Sequence, residues 1–145
     1  WVGALSPADY DAHVFPHVKH ILSDLEKTGV PVIHFGTHTN ALLERMRDAG
    51  GTVIGVDHHS HIDEAWKRVG FDRAVQGNLD PLLLLAPHEI AREHATRILE
   101  RIGGRPGHIF NLGHGIVPEV PVDNVRRMID HVHEASARIR RERGA

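Results

Sequence analysis

The stretch Gly107–Ile116 reads GHIFNLGHGI and joins an apolar segment to a histidine that lies between two glycines. The apolar residues are typical of a buried strand, and the glycines mark the point where the chain turns. Gly113 and Gly115 add no side-chain bulk, so that backbone and ligand can approach His114 closely. The chain has 14 histidines, so the setting of His114, rather than its residue type, indicates a ligand-facing group; an ordinary turn is the alternative.

Three further apolar segments resemble this strand, and a helical pattern follows each of the four. The predicted strands are Val30–Phe35, Thr52–Val56, Ala74–Gln76 with an extension to Leu79, and His108–Leu112. Repeated βα units imply right-handed crossovers and a parallel sheet covered by helices. Glycines at positions 50, 70 and 103 follow three of the helical patterns, where a left-handed cap is expected.

An amphipathic helix precedes the first strand. Ser6–Asp9 has the form of a capping box with proline at the first helical position, and apolar residues continue at helical spacing to Leu25. Pro16 should bend or divide this helix, because proline lacks an N–H and clashes with the preceding turn. His13, His17 and His20 would share one face of this helix. We interpret this face as a polar surface exposed to solvent.

The number of βα units bounds the fold class. A complete (β/α)₈ barrel typically needs about 250 residues, so an N-terminal helix and four βα units in 145 residues amount to half of a TIM barrel. We expect a single α/β domain over residues 1–145. Four strands of a doubly wound open sheet would show the same periodicity.

Composition excludes several functions. The chain is 41% hydrophobic and 25% charged, and its formal net charge of −2 gives no electrostatic case for a nucleic-acid partner. The longest apolar run, residues 79–86, is too short to span a membrane. The chain has no cysteine, which removes thiol chemistry and cysteine-based zinc sites. We expect a cytoplasmic protein, and the start at Trp1 without methionine suggests a fragment.

Polar side chains follow the ends of all four predicted strands. In βα barrels such positions carry the functional groups. They comprise His34 and His38 near the first strand end, Asp57, His58 and His59 at the second, Gln76, Asn78 and Asp80 at the third, and Asn111 and His114 at the fourth. These groups should collect on one rim of the sheet.

Four stretches carry a family resemblance: WVGALSP at residues 1–7, QGNLDP at 76–81, GHIFNLGHGI at 107–116 and VPVDNV at 120–125. In this order they resemble the later part of uroporphyrinogen decarboxylases. The resemblance implies a (β/α)₈ barrel that removes carbon dioxide from the four acetate side chains of uroporphyrinogen III, giving coproporphyrinogen III, without cofactor or metal. It also implies that His114 contacts substrate.

The resemblance further implies that this chain alone is inactive. The family's paired arginines, the aspartate that faces the pyrrole nitrogens and a tyrosine all lie upstream of the matched part. A noncatalytic half-barrel module is therefore an alternative, because open sheet edges favour pairing with a second copy or with the missing N-terminal half. The related corrinoid-linked methyltransferases need a cysteine zinc ligand, which this chain lacks.

A metal-dependent hydrolase is a third interpretation of the rim. The family usually has an aromatic residue after the aspartate at position 57, where this chain has His58, His59 and His61. With His34, His38 and Asp57 these imidazoles could surround a divalent metal. Against this, Ser60–Asp63 fits a capping box for the next helix.

Other polar residues have structural interpretations. Asp80 precedes Pro81 and resembles a helix N-cap. We expect Gln76 and Asn78 to hydrogen-bond across the rim; contact with substrate is the alternative. His131 and His133 should point to different sides of the last helix.

Overall fold

The structure is a computed structural model that describes residues 1–144. Six α-helices and four strands account for most of this part of the chain. In order they are α1 (Pro7–His13), α2 (Phe15–Glu26), β1 (Ile33–Phe35), α3 (Leu43–Ala49), β2 (Val53–Gly55), α4 (Ile62–Val69), β3 (Ala74–Leu79), α5 (His88–Ile102), β4 (His108–Leu112) and α6 (Val122–Glu142). Short 3₁₀ helices cover Val2–Ala4, Asn40–Leu42 and Pro81–Leu85.

The strands form one parallel sheet in the order β1-β2-β3-β4. Each strand is joined to the next by a helical crossover, which confirms the predicted βα units and the α/β class. Phe35, Gly55, Gln76 and Ile109 lie side by side across the four strands. Sequential parallel order with helical crossovers is the arrangement that half of a TIM barrel would have.

The predicted N-terminal helix is divided into α1 and α2 near Pro16, as the sequence indicates. The Oγ of Ser6 accepts the backbone N–H of Asp9 at 3.1 Å, so the predicted cap of α1 is confirmed. Pro16 is the second residue of α2, where a missing N–H breaks no helical hydrogen bond. His13 therefore ends α1, and the prediction that it shares a single helix face with His17 and His20 is wrong.

The helix boundaries correct two further predictions. Gly103 ends α5 in the left-handed conformation, whereas Gly50 and Gly70 combine positive φ angles of 128° and 92° with extended ψ angles. The prediction of a capping box that starts at Ser60 is also wrong. The N-cap of α4 is His61, one residue after Ser60, and its side chain makes no capping hydrogen bond. The carbonyl of Ser60 accepts a side-chain hydrogen bond from β3, which keeps this residue in the loop.

The two faces of the sheet differ in burial. Ile54 and Val75 have no exposed surface and pack in one core with Met46 of α3 and Trp66 of α4. On the opposite face Ile33, Phe35 and Ile109 are 48%, 46% and 43% exposed. Helices thus cover one apolar face of the sheet, and large hydrophobic side chains of β1 and β4 on the other face remain accessible to solvent.

Within residues 1–144, none of the helices combines the length and the apolar composition that crossing a membrane would require.

Candidate functional site

The carboxyl ends of the strands meet at one rim, as the sequence predicts, and Asn78 ties two of them together. Its side chain is 5% exposed. Its Nδ2 donates to the carbonyls of Asp57 at 2.8 Å and of Ser60 at 2.6 Å. Asn78 at the end of β3 therefore holds the loop that follows β2, which agrees with the structural role predicted for it.

Gly113 brings the loop after β4 against the loop after β2. A Cβ atom at position 113 would lie 2.7 Å from the Cβ and 2.8 Å from the Cα of His58. The N–H of Gly113 donates to the carbonyl of Leu79 at 2.7 Å. The close approach expected at Gly113 is thus an approach of backbone to backbone, whereas Gly115 faces open space.

His114 lies exposed on this rim. Its Nδ1 accepts the backbone N–H of Gly115 at 2.7 Å, so that in the neutral ring the proton resides on Nε2. The ring stacks on the indole of Trp1 with centroids 5.6 Å apart and 29° between the planes. One nitrogen is therefore used to fix the ring, and Nε2 is left to meet a ligand.

The N-terminal segment joins the first and last strand ends. A Cβ on Gly3 would lie 2.6 Å from the Cβ of His38, so only glycine permits this close packing against the loop after β1. Trp1 then reaches His114 beyond β4. Sequence reasoning singled out residues 1–7 as a motif but missed these contacts, because they depend on how the chain folds back.

Asp57 lies at the centre of a second polar group on the rim. Its side chain is 2% exposed, and its carboxylate accepts the backbone N–H groups of His38 and, at 3.1 Å, of His59. The Nδ1 of His59 lies 3.3 Å from Oδ2 of Asp57, and the rings of His38 and His59 have centroids 4.3 Å apart. We call His38, Asp57 and His59 the His-Asp-His cluster; their ligand atoms lie within 4.8 Å of one another.

The remaining histidines of the predicted metal set lie outside the cluster. His58 packs its ring on His59, but its Nδ1 is 3.5 Å from the carbonyl of Gly113. His61 is exposed at the N-cap of α4. The Nδ1 of His34 is 3.0 Å from the carbonyl of Met46, at the end of α3.

Two half-buried histidines of the strands serve the fold. Burial lowers the pKa of His34 and of His108, which favours their neutral rings. The Nε2 of His108 is 2.8 Å from the carbonyl of Gly77. Each ring therefore satisfies a backbone carbonyl on the helix-covered side of the sheet.

Asp80 has the capping role that the sequence predicts. Its carboxylate accepts the N–H of Leu82 at 2.9 Å, and the helix that it caps is the 3₁₀ helix Pro81–Leu85. On α6 the Nε2 of His131 lies 2.8 Å from Thr96 Oγ1 of α5, whereas His133 is exposed. The two histidines therefore face different sides, as predicted.

An apolar groove lies away from these polar groups. Its volume is about 760 Å³, and it lies between β4, the end of α5 and most of the length of α6, with Leu99, Phe110, Met128 and Val132 in its wall. It contains part of the unpaired edge strand rather than the rim.

Parallel βα units with polar side chains gathered at the carboxyl ends of the strands define a class of α/β proteins that bind ligands at that edge. Comparison with known proteins identifies the family within this class. The uroporphyrinogen decarboxylase (URO-D) family matches residues 1–135. The chain belongs to the uroporphyrinogen decarboxylase family.

Several relatives named uroporphyrinogen decarboxylase match most of the chain. The protein of Sorangium cellulosum is 68% identical over 133 residues, which cover 92% of this chain and 38% of the relative. Those of Carboxydothermus hydrogenoformans and Thermus thermophilus are each 53% identical over 137 residues, or 94% of this chain and 39% and 40% of the relatives. The chain thus spans about two-fifths of their length.

Proposed function

We propose that this chain is the C-terminal half-barrel of a uroporphyrinogen decarboxylase and forms a single domain over residues 1–145. In the complete enzyme the substrate would be uroporphyrinogen III, whose four acetate side chains lose carbon dioxide to give coproporphyrinogen III without a cofactor. Family membership supports this reaction. The observation that carries it to this chain is His114, which is exposed at the carboxyl edge of the sheet and accepts the N–H of Gly115 through Nδ1 rather than Nε2.

Completion of a barrel would explain the uncovered face of the sheet. Ile33, Phe35 and Ile109 would point into the interior of an eight-stranded ring, where apolar side chains normally fill the space. The free edges of β1 and β4 would pair with strands from the rest of the protein. The groove beside β4 would receive the neighbouring βα unit.

The reaction requires an electron sink for the carbon–carbon bond that breaks. Protonation of the pyrrole ring carbon next to the acetate-bearing carbon creates this sink, since the electrons of the broken bond flow into the cationic ring as carbon dioxide leaves. Nearby negative charge or oriented dipoles in a sheltered site stabilise such a cation. The groups that supply this stabilisation in the family lie outside this chain, which should therefore be inactive alone.

His114 would act on the substrate in one of two ways. Its Nε2 can donate a hydrogen bond to a substrate carboxylate, or a protonated ring can relay a proton. Carboxylate binding alone would appear mainly in KM, whereas a proton relay would appear in kcat.

The test is the conversion of uroporphyrinogen III by the whole protein and by its His114→Asn variant. We expect the wild type to produce coproporphyrinogen III and the variant to lose at least about tenfold in kcat/KM. If His114 relays a proton, the loss should reach roughly 10²–10⁴-fold, the usual contribution of general acid–base catalysis. His20→Asn is the matched control, because that side chain is 80% exposed on α2. An unchanged rate for His114→Asn would remove His114 from the mechanism, and absence of coproporphyrinogen from the wild type would refute the reaction.

Two alternatives remain distinguishable. A noncatalytic assembly module would pair through the same open edges with a second copy, and the whole protein would not decarboxylate. A metal-dependent hydrolase, which the His-Asp-His cluster favours, would lose its activity on chelation, whereas the decarboxylase would not. The cytoplasmic location stays a prediction.

A further inference from the structure

The His-Asp-His cluster combines donors that divalent transition metals prefer. It offers two imidazole nitrogens and one carboxylate oxygen, all within 4.8 Å of one another. Zinc binds such groups at about 2.0–2.2 Å. Two ligand atoms of one zinc ion therefore lie at most about 4.4 Å apart, so zinc binding would draw the two exposed rings closer to the carboxylate.

The carboxylate of the cluster is held in place before any ligand arrives. Asp57 is 2% exposed and accepts the backbone N–H groups of both His38 and His59. Outer hydrogen bonds of this kind orient a ligating group and strengthen its hold on a metal. These backbone bonds alone fit a structural role; in addition, the imidazole of His59 contacts the same carboxylate, and the ring of His38 lies against that of His59.

The loop conformation also directs His38 toward Asp57. His38 is the one residue other than glycine with a positive φ among residues 1–144, at 58°. This conformation is uncommon for residues other than glycine, although histidine adopts it more readily than most, and it accompanies the bond from the N–H of His38 to Asp57. With the backbone held in this way, the ring of His38 lies beside that of His59, with centroids 4.3 Å apart.

The cluster leaves room for a further ligand. His38 and His59 are exposed, and three protein ligands leave at least one coordination position of a zinc ion free for solvent.

From these observations we propose that His38, Asp57 and His59 form a binding site for a divalent transition metal, with zinc as the best match. The nitrogen-rich donor set disfavours magnesium and calcium, which take oxygen ligands. The site lies on the same rim as His114, because His58, between two cluster residues in sequence, contacts Gly113. It is independent of the cofactor-free decarboxylation and requires no role in it.

The test is a calorimetric titration in which Zn²⁺ is added to the chelator-treated whole protein. Two variants remove one imidazole each and leave Asp57 bonded to the backbone: His38→Asn, since asparagine tolerates positive φ, and His59→Gln. The matched control is His61→Asn, which removes an exposed imidazole of the same tract, and asparagine is a good N-cap. Circular dichroism checks that all variants fold.

We expect the wild type and His61→Asn to bind one equivalent of Zn²⁺. In both cluster variants the affinity for Zn²⁺ should fall at least about 10–100-fold, because removal of a ligand costs no less than removal of a residue that only orients one. Co²⁺ in place of Zn²⁺ should give a visible absorption band that the cluster variants lose. Equal zinc binding by the wild type and both cluster variants would overturn the proposal, and so would loss of the site in His61→Asn. Because binding is the readout, a failed decarboxylation assay leaves this result unaffected.

Discussion

A single methyl group at position 113 would force the loop after β4 away from the loop after β2. The added Cβ would lie 2.7 Å from the Cβ of His58 and 2.8 Å from its Cα. Neither atom belongs to the flexible end of a side chain, so the backbone would have to move. Gly113 therefore fixes the position from which His114 is presented.

We predict that Gly113→Ala destabilises the protein by about 1–3 kcal/mol, the usual cost of overpacking. Gly115→Ala is the matched control and should cost little, because within residues 1–144 no atom beyond its two chain neighbours lies within 4 Å of its Cβ position. Urea denaturation of the two variants measures the difference. Equal stability of both variants would show that the loop yields freely and does not position His114.

At this scale the sequence predicts which residues reach the rim, but not their contacts. The glycine-flanked His114 and the capping Asp80 follow from local patterns. The stacking of Trp1 on His114 and the pairing of His38 with Asp57 join residues far apart in the chain. Only the three-dimensional fold brings such pairs together, so no local pattern indicates them.

At the scale of elements, the end of β3 holds the loop that follows β2 through Asn78. Its amide donates to two carbonyl oxygens at 2.6 and 2.8 Å. An aspartate at this position would place a carboxylate against both carbonyls. Two acceptors would lose their donor, and a buried charge would have no partner.

We predict that Asn78→Asp lowers the free energy of unfolding by at least about 1–3 kcal/mol, the cost of unsatisfied buried polar groups. Asn111 lies beside Asn78 on β4 and supplies the control, since its Oδ1 accepts the N–H of Leu112 and an aspartate preserves that bond. Chemical denaturation of Asn78→Asp and Asn111→Asp provides the measurement. If both variants unfold at the same denaturant concentration, Asn78 does not hold the loop.

Helix boundaries show how far local patterns reach. Pro16 and Ser6 act through effects confined to one helical turn, and both predictions are confirmed. Gly50, Gly70 and Ser60 depart from the local pattern. The carbonyl of Ser60, for example, is held by Asn78, and this tertiary bond overrides the capping preference of the serine.

At the scale of the whole molecule, the sheet has two open edges and an accessible apolar face. The periodicity of the sequence predicts four parallel strands, which the structure confirms, and the structure adds their sequential order. The periodicity does not distinguish a half-barrel from an open sheet, because both are built from the same alternation of strand and helix. The exposed Ile33, Phe35 and Ile109 favour the half-barrel.

Open edges of this kind favour association. We predict that the isolated 145-residue chain dimerises at micromolar concentration, since a second copy can cover the apolar face and pair with β1 or β4. Size-exclusion chromatography with light scattering measures the mass, and circular dichroism verifies folding. A well-folded monomer would contradict this edge argument.

The central claim is that the carboxyl edge of this sheet receives a tetrapyrrole and presents His114 to it. The most direct measurement is a crystal structure of the complete protein with coproporphyrinogen III bound. We predict a product carboxylate within about 2.7–3.2 Å of the Nε2 of His114, a normal hydrogen-bond distance. Product bound elsewhere, with the ring of His114 making no contact to it, would contradict the claim.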